Sequence, residues 1–116
     1  MKVLVVLNDP PYGTERAYNG LRLARSLSLT DDADVRIFLI GDAVACAHSN
    51  QRVPEGFYHL DRMLEAAARH GAEIGCCGTC LDARGIDEDR LVKGASRASM
   101  DDLTEWVGWA DKVVSF

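Results

Sequence analysis

The sequence predicts an α/β fold with a mainly parallel sheet and helices on both of its faces. Short apolar runs alternate along the chain with segments whose apolar residues recur at helical spacing. This alternation is typical of βαβ units, in which a helix connects two parallel strands. A chain of 116 residues can bury a sizeable core, and we expect one domain, residues 1–116.

The first half of the chain predicts two strands and two helices. The Val-rich run "KVLVVL" at Lys2–Leu7 suits a strand buried on both faces, and "NDPPYG" predicts a loop after it. A helix is predicted from Thr14, its capping residue, to about Leu29. "DVRIFLIG" predicts the second strand, and "DAVACAHS" predicts a short helix.

The second half predicts three strands and three helices. Five apolar residues between Leu60 and Ala68 have helical spacing, and Gly71 is a stop signal. "AEIGC" predicts the third strand, and "DEDRLVKG" predicts a helix from Asp87 to Gly94. "ASRA" is a fourth strand candidate. Ser99 and Asp102 then resemble a capping pair, and "KVVSF" predicts the last strand.

The composition excludes several classes of partner. There are 13 Lys and Arg against 18 Asp and Glu, a formal net charge of -5, and no basic cluster along the chain, so we expect no nucleic acid partner. The longest apolar runs are too short for a membrane span or a signal peptide. We therefore expect a cytoplasmic protein with no membrane association.

Polar and thiol side chains follow the ends of the first three predicted strands. In a parallel sheet these ends share one edge, where open α/β sheets bind their ligands. We therefore expect one site at that edge, which draws on Asn8, Asp9, Asp42, Cys46, His48, Cys77, Cys80 and Arg84.

Three of the four cysteines lie in the segment "CCGTC", in which Cys77 and Cys80 form a CxxC pair. Such a pair suits reversible thiol chemistry when one thiol has a lowered pKa. Two other interpretations remain open: a zinc site completed by Cys46 and His48, or small residues buried in a turn. Cys76 is expected to be buried, inert and pointed away from Cys77.

Two residues near the pair allow two interpretations each. Cys46 is either an accessory thiol that faces Cys77 or a small residue that packs a short helix. Arg84 is either an ordinary surface charge or a cation that favours the thiolate, which is the nucleophilic form of cysteine.

Four segments together resemble the DsrE/DsrF-like family of sulfur-relay proteins, close to its YchN- and TusD-like members, over essentially the whole chain. They are "KVLVVLNDPPYGTERAYNGLRLA", "GDAVACA", "CCGTCLDARGI" and "DDLTEWVGWADKVVSF". The resemblance implies a three-layer α/β/α sandwich with a five-stranded parallel sheet. It also implies assembly into trimers or hexamers and work with sulfur donor and acceptor proteins.

The resemblance also implies a role for individual residues. In sulfur-relay members a cysteine after the third strand accepts a persulfide sulfur, ahead of a short helix and an Arg-Gly pair. Arg84-Gly85 supplies that pair here, which places Cys77 in the carrier position and Cys80 one helical turn further on. Cys77, Cys80 and Arg84 are thus the expected catalytic residues. The expected substrate contacts are Asn8, Asp9, Asp42 and Cys46, and no cofactor is expected.

Two other functions remain open beside sulfur carriage. One is a dithiol redox protein that uses Cys77 and Cys80; the other is a non-enzymatic oligomeric module whose cysteines bind a metal or a small ligand. Self-association is also expected from the aromatic residues in or near predicted loops, which are Tyr12, Tyr18, Phe57 and Tyr58.

Overall fold

The computed structural model describes residues 1–116 and contains five strands and four α-helices. The strands are β1 (Lys2–Leu7), β2 (Asp34–Leu39), β3 (Glu73–Cys77), β4 (Ala95–Ala98) and β5 (Lys112–Ser115). The α-helices are α1 (Arg16–Ser28), α2 (Leu60–Arg69), α3 (Gly78–Ala83) and α4 (Met100–Trp109), and two 3-10 segments span Gly41–Ala47 and Glu88–Arg90. None of the helices is both long and apolar enough to cross a membrane.

The five strands form one parallel sheet in the order β4-β3-β2-β1-β5. The predicted α/β class and the five-stranded parallel sheet are confirmed. Strand β1 lies inside the sheet between β2 and β5, and most of its residues are buried, as its uninterrupted apolar run predicts.

Helices cover both faces of the sheet. Leu7 of β1 lies against Gly20 of α1 on one face. Phe38, which is in register with Val6, instead packs edge-on against Trp106 of α4, with 5.9 Å between ring centroids. Because successive residues of a strand point to opposite faces, α1 and α4 lie on opposite sides of the sheet. The result is an α/β/α sandwich.

The segment between α3 and β4 differs from the prediction. The helix predicted from Asp87 to Gly94 is wrong, since only the short 3-10 turn at Glu88–Arg90 forms. Val92 is buried, and its backbone N–H donates to the carbonyl of Ala47. This contact with a distant segment replaces the helical hydrogen bond, so tertiary pairing overrides local preference.

The chain after β3 also differs from the prediction. The strand predicted over "AEIGC" ends at Cys76, but β3 includes Cys77, and α3 begins at the next residue, where the resemblance implies a short helix. Cys76 pairs with Leu39 inside the sheet, which confirms that it is a buried strand residue.

The aromatic residues expected to form a self-association surface mostly contact one another. Tyr18 lies within α1 and stacks on Tyr58 with 3.9 Å between ring centroids. The hydroxyl of Tyr12 donates to Gln51 at 2.6 Å. Phe57 alone of the four is strongly exposed, so this group does not form a continuous apolar surface.

A capping box fixes the start of α4, as the sequence predicts. The Ser99 hydroxyl accepts the Asp102 N–H at 3.1 Å, and the Asp102 carboxylate accepts the Ser99 N–H at 2.7 Å.

We expect Ser99→Ala to lower the free energy of unfolding by about 1 kcal/mol, because it removes the hydroxyl that caps α4. Urea denaturation followed by circular dichroism measures the change. Ser26→Ala is the matched control, since Ser26 is exposed inside α1 and alanine favours a helix interior. Equal stabilities of the two variants would contradict the role of the cap.

Candidate functional site

A cleft of about 400 Å³ opens between the carboxyl ends of β3 and β4. Right-handed crossovers carry the chain after β3 over the face that holds α1 and the chain after β4 over the face that holds α4. Neighbouring strands whose connections diverge in this way form the switch point at which open α/β sheets bind ligands. The lining residues are Cys77, Gly78, Thr79, Arg97, Ala98, Ser99, Met100 and Asp102.

Cys77 is the last residue of β3 and the only thiol that lines this cleft. Burial alone would raise the pKa of Cys77. Hydrogen bonds from the Cys80 and Thr79 side chains and from the backbone N–H groups of these two residues outweigh it, so the pKa of Cys77 is lowered. The Cys77 Sγ and the Thr79 Oγ1 are 3.3 Å apart. The site therefore favours a thiolate on Cys77.

Cys80 lies in the first turn of α3, and its pKa shifts in the opposite direction. Burial and the interaction with Cys77 raise the pKa of Cys80, although the Gly41 N–H that donates to its Sγ at 3.2 Å lowers it. Once Cys77 has ionised, Cys80 keeps its proton, because its own pKa is raised. The CxxC pair is thus divided into a thiolate and a thiol.

Arg84 is held by Asp42 from the start of the 3-10 segment. Its guanidinium donates to the Asp42 Oδ1 at 2.7 and 3.0 Å and to the Cys80 carbonyl at 3.0 Å. The charge of Arg84 is the smallest of the causes that act on the pKa of Cys80, which it lowers. The structure thus brings Asp42, Arg84 and Cys80 together beside Cys77.

The remaining residues expected at the site lie at the same edge but are engaged elsewhere. The Asn8 amide donates to the Ser115 hydroxyl and the Phe116 carbonyl, both at 2.9 Å. The Asp9 carboxylate accepts the Thr14 hydroxyl at 3.1 Å. These contacts join β1 to the end of the chain and order the loop after β1.

Cys46 and Cys76 are fully buried. Burial raises the pKa of each to about 12. The Cys46 thiol donates to the Asp9 carbonyl at 3.6 Å, an arrangement that favours the packing interpretation of this residue. His48 contacts the Ser49 carbonyl through Nδ1 at 2.8 Å, and no three His, Cys, Asp or Glu side chains are grouped as a metal ion would require.

Arg97 lines the cleft beside Cys77, and the sequence did not single it out. Its guanidinium makes two hydrogen bonds of 2.8 Å to the Asp82 carboxylate. It also lies against Gly78, where an added Cβ would be 2.7 Å from the guanidinium carbon. The only signal in the sequence is a cation in the fourth strand candidate "ASRA", which becomes informative only when β3 is known to be its neighbour.

A separate groove between α1 and α2 collects positive charge away from the thiols. Arg22 and Arg25 line it from α1, and Arg62 and Arg69 line it from α2. Helical spacing and the packing of the two helices bring together arginines that are dispersed along the sequence, which is why no basic cluster was visible there.

We expect Cys77 to be alkylated first when the native protein is treated with iodoacetamide near pH 7, because its lowered pKa gives it the largest thiolate fraction. Cys46 and Cys76 should remain unmodified, since both are 0% exposed, against 7% for Cys77, and both keep their protons. Fragmentation mass spectrometry distinguishes the cysteines of "CCGTC". Faster modification of Cys80 would contradict the assignment of the thiolate.

Above pH 9 we expect the free energy of unfolding to fall, and the buried thiol of Cys46 accounts for part of that fall. The unfolded chain releases the Cys46 proton near pH 9.0, whereas the folded chain keeps it to about 12. The folded state then binds more protons, so the free energy of unfolding decreases by about 1.4 kcal/mol per pH unit for this thiol. Cys46→Ala should reduce the slope of the free energy of unfolding against pH by that amount, whereas Ser26→Ala should leave the slope unchanged. Parallel curves for the two variants would contradict the prediction.

Comparisons with known proteins give the chain its family. The model of the DsrE/DsrF-like family matches residues 1–116. The chain is 37% identical over 116 residues to Protein YchN of Escherichia coli, covering 99% of this chain and 98% of that protein. The crystal structure of that protein superposes with a TM-score of 0.93.

Two further relatives extend the comparison. The chain is 40% identical over 114 residues to protein MK0008 of Methanopyrus kandleri, covering 98% of this chain and 93% of that protein. It is 29% identical to a TusC homolog of Aliivibrio fischeri, covering 96% and 95%. With its family model matched from end to end and its fold shared with YchN, the chain belongs to the DsrE/DsrF-like family.

Proposed function

We propose that the protein is a sulfur carrier that holds persulfide sulfur on Cys77. The Cys77 thiolate attacks the outer sulfur of a donor persulfide, a new S–S bond forms on Cys77, and the donor's S–S bond breaks. The donor cysteine leaves as a thiolate, so no external oxidant is needed. An acceptor thiolate then removes the same sulfur by the same exchange and regenerates Cys77.

The observation that carries this proposal is the environment of Cys77. It is the only thiol in the cleft, the Thr79 Oγ1 lies 3.3 Å from its Sγ, and the Thr79 and Cys80 groups together lower its pKa. Cys77 is 7% exposed, and the cleft gives a sulfur held by another molecule a path to its thiolate. Cys46 and Cys76, with pKa values raised to about 12, are unsuited to this role.

Family membership supports the same role. The DsrE/DsrF-like family contains sulfur-relay components, and one relative of this chain is a TusC homolog. Sulfur relays pass sulfur between proteins, so the proposal includes a donor protein and an acceptor protein. Arg84 and Asp42 would hold α3 so that Cys80 stays one turn from Cys77, and Asn8, Asp9 and Cys46 would shape the adjoining loop.

A second candidate function rests on the contact between the two CxxC thiols. Cys80, as a thiolate, can attack the inner sulfur of a persulfide on Cys77, which forms the Cys77–Cys80 disulfide and releases hydrosulfide. In this case the protein is a dithiol redox protein that releases sulfide. The Cys80 side chain lowers the pKa of Cys77, and no three potential metal ligands are grouped together, which favours this candidate over a metal-binding module.

Self-association is part of the proposal. Met100 and Val107 of α4 and Val113 of β5 are exposed large apolar residues on the side of the sheet that a single helix covers. Exposed apolar side chains on one side of a fold are a common feature of interfaces.

We expect Cys77→Ser to abolish the uptake of radioactive sulfur from a labelled persulfide donor, since a hydroxyl cannot replace the thiolate at neutral pH. Cys76→Ala is the matched control, because its thiol is adjacent in sequence but buried in the sheet. Circular dichroism should show both variants folded. Uptake that survives in Cys77→Ser would move the carrier role to Cys80 or Cys46.

For the assembled state, we expect light scattering at micromolar concentration to give a mass of a trimer or hexamer. Val107→Asp should lower that mass, because a carboxylate on the exposed side of α4 opposes apolar association. Glu105→Gln is a control on the same helix. A monomer in the unmodified protein would contradict this part of the proposal.

A further inference from the structure

We propose that Arg97 is the positioning residue for the sulfur anion on Cys77. Its guanidinium, anchored by Asp82 and resting on Gly78, supplies the positive charge of the cleft. This inference deepens the proposed function. Its part that concerns the persulfide anion rests on sulfur transfer to Cys77, whereas its part that concerns the Cys77 thiolate does not.

Asp82 fixes where the guanidinium lies. The two terminal nitrogens of Arg97 donate to the two oxygens of Asp82, each at 2.8 Å. A paired fork of this kind sets orientation as well as distance. Arg97 has five N–H donors, and this pair engages two of its nitrogens, so donors remain for an anion in the cleft.

Gly78 gives the guanidinium its room. A Cβ at this position would lie 2.7 Å from both Cζ and Nε of Arg97, well inside van der Waals contact. Gly78 does not have a positive φ, so the backbone conformation does not require glycine here. Its function is spatial: the bare Cα, next to Cys77, allows Arg97 to pack closely over the start of α3.

Arg97 is the only cation among the residues that line the cleft. The charges around Cys77 are Asp82 on α3, Asp102 on α4, Glu88 on the 3-10 turn and Arg97 itself, with Cys80 as the titratable neighbour. Asp102 is bound to Ser99 by the capping box. The hydrogen bond to Asp82 is the main cause that raises the pKa of Arg97, and the charge of Cys77 is the smallest.

The position of Arg97 suits both states of the proposed cycle. Before transfer the negative charge is on the Cys77 Sγ; after transfer it is on the outer sulfur, one bond further into the cleft. Arg97 lines that cleft, whereas Arg84 is engaged with Asp42 and Cys80. A single fixed cation can thus hold the charge as it moves outward, without a change in the protein.

The test is the pH profile of Cys77 alkylation by iodoacetamide in the full-length protein. Arg97→Met should raise the pKa of Cys77, so that alkylation near pH 7 slows by about threefold to tenfold while the limiting rate at high pH is unchanged. Arg97→Lys, which keeps the charge but loses the fork, should give an intermediate profile. Gly78→Ala should shift the profile in the same direction, because the new methyl group displaces the guanidinium.

The matched control is Arg69→Met, which removes an ion-paired arginine from α2. Its profile should match that of the unmodified protein. Profiles of Arg97→Met and Gly78→Ala that both coincide with the control would overturn the inference. Gly78→Ala and Arg97→Lys both keep a cation at position 97. If Arg97→Met does not fold, the alkylation profiles of these two variants still decide the outcome.

The same variants separate this inference from the proposed function. Alkylation requires no sulfur donor, so a shifted profile supports Arg97 even if the unmodified protein takes up no sulfur. In that case the carrier function fails and the thiolate part of the inference holds. If sulfur is taken up and the profile does not shift, the carrier function holds and the inference fails.

Discussion

The parallel pairing of β3 with β4 is the constraint on which the candidate site depends. It places Cys77 opposite Ala98, and the following connections cross to opposite faces of the sheet. The cleft exists because these two connections diverge. Arg97 precedes Ala98 on the same strand and is in register with Cys76, and its guanidinium reaches the cleft over Gly78. Strand β4, with only four residues, thus contributes both a wall and a cation to the cleft.

Depth in the fold divides four chemically identical side chains into different roles. Cys46 and Cys76 lie inside the core, where loss of water keeps them protonated. Cys77, one residue beyond Cys76, is 7% exposed at the cleft, where backbone N–H and hydroxyl groups lower its pKa. Cys80, which is half-buried, keeps its proton beside it. The alternation of side chains along β3 therefore separates two adjacent thiols whose pKa values shift in opposite directions.

The sequence predicts the fold well because its signals are local. The apolar run of β1, the spacing of α2 and the Ser99–Asp102 cap each lie within a few residues of the structure they specify. The helix predicted from Asp87 to Gly94 is wrong for the opposite reason, since the contact of Val92 with Ala47 joins segments far apart in sequence.

The same distinction between local signals and distant contacts explains which part of the site is predictable. Cys77 and Cys80 are identified by their spacing, and the edge to which they belong follows from parallel topology. Arg97 is not identified, because its relation to Cys77 depends on the order of the strands and on the absence of a side chain at Gly78. The groups that tune a site are set by tertiary neighbours, whereas the reacting groups occur in a motif.

Sulfur on Cys77 is detected by the mass of the intact protein after incubation with a persulfide donor, followed by fragmentation. We expect the protein to gain one sulfur atom, located on Cys77 and lost on treatment with a reductant. A sulfur atom on Cys46 or Cys76 would contradict this expectation. So would an unchanged mass, or the loss of two hydrogens through a Cys77–Cys80 disulfide with no sulfur-bearing form at any time.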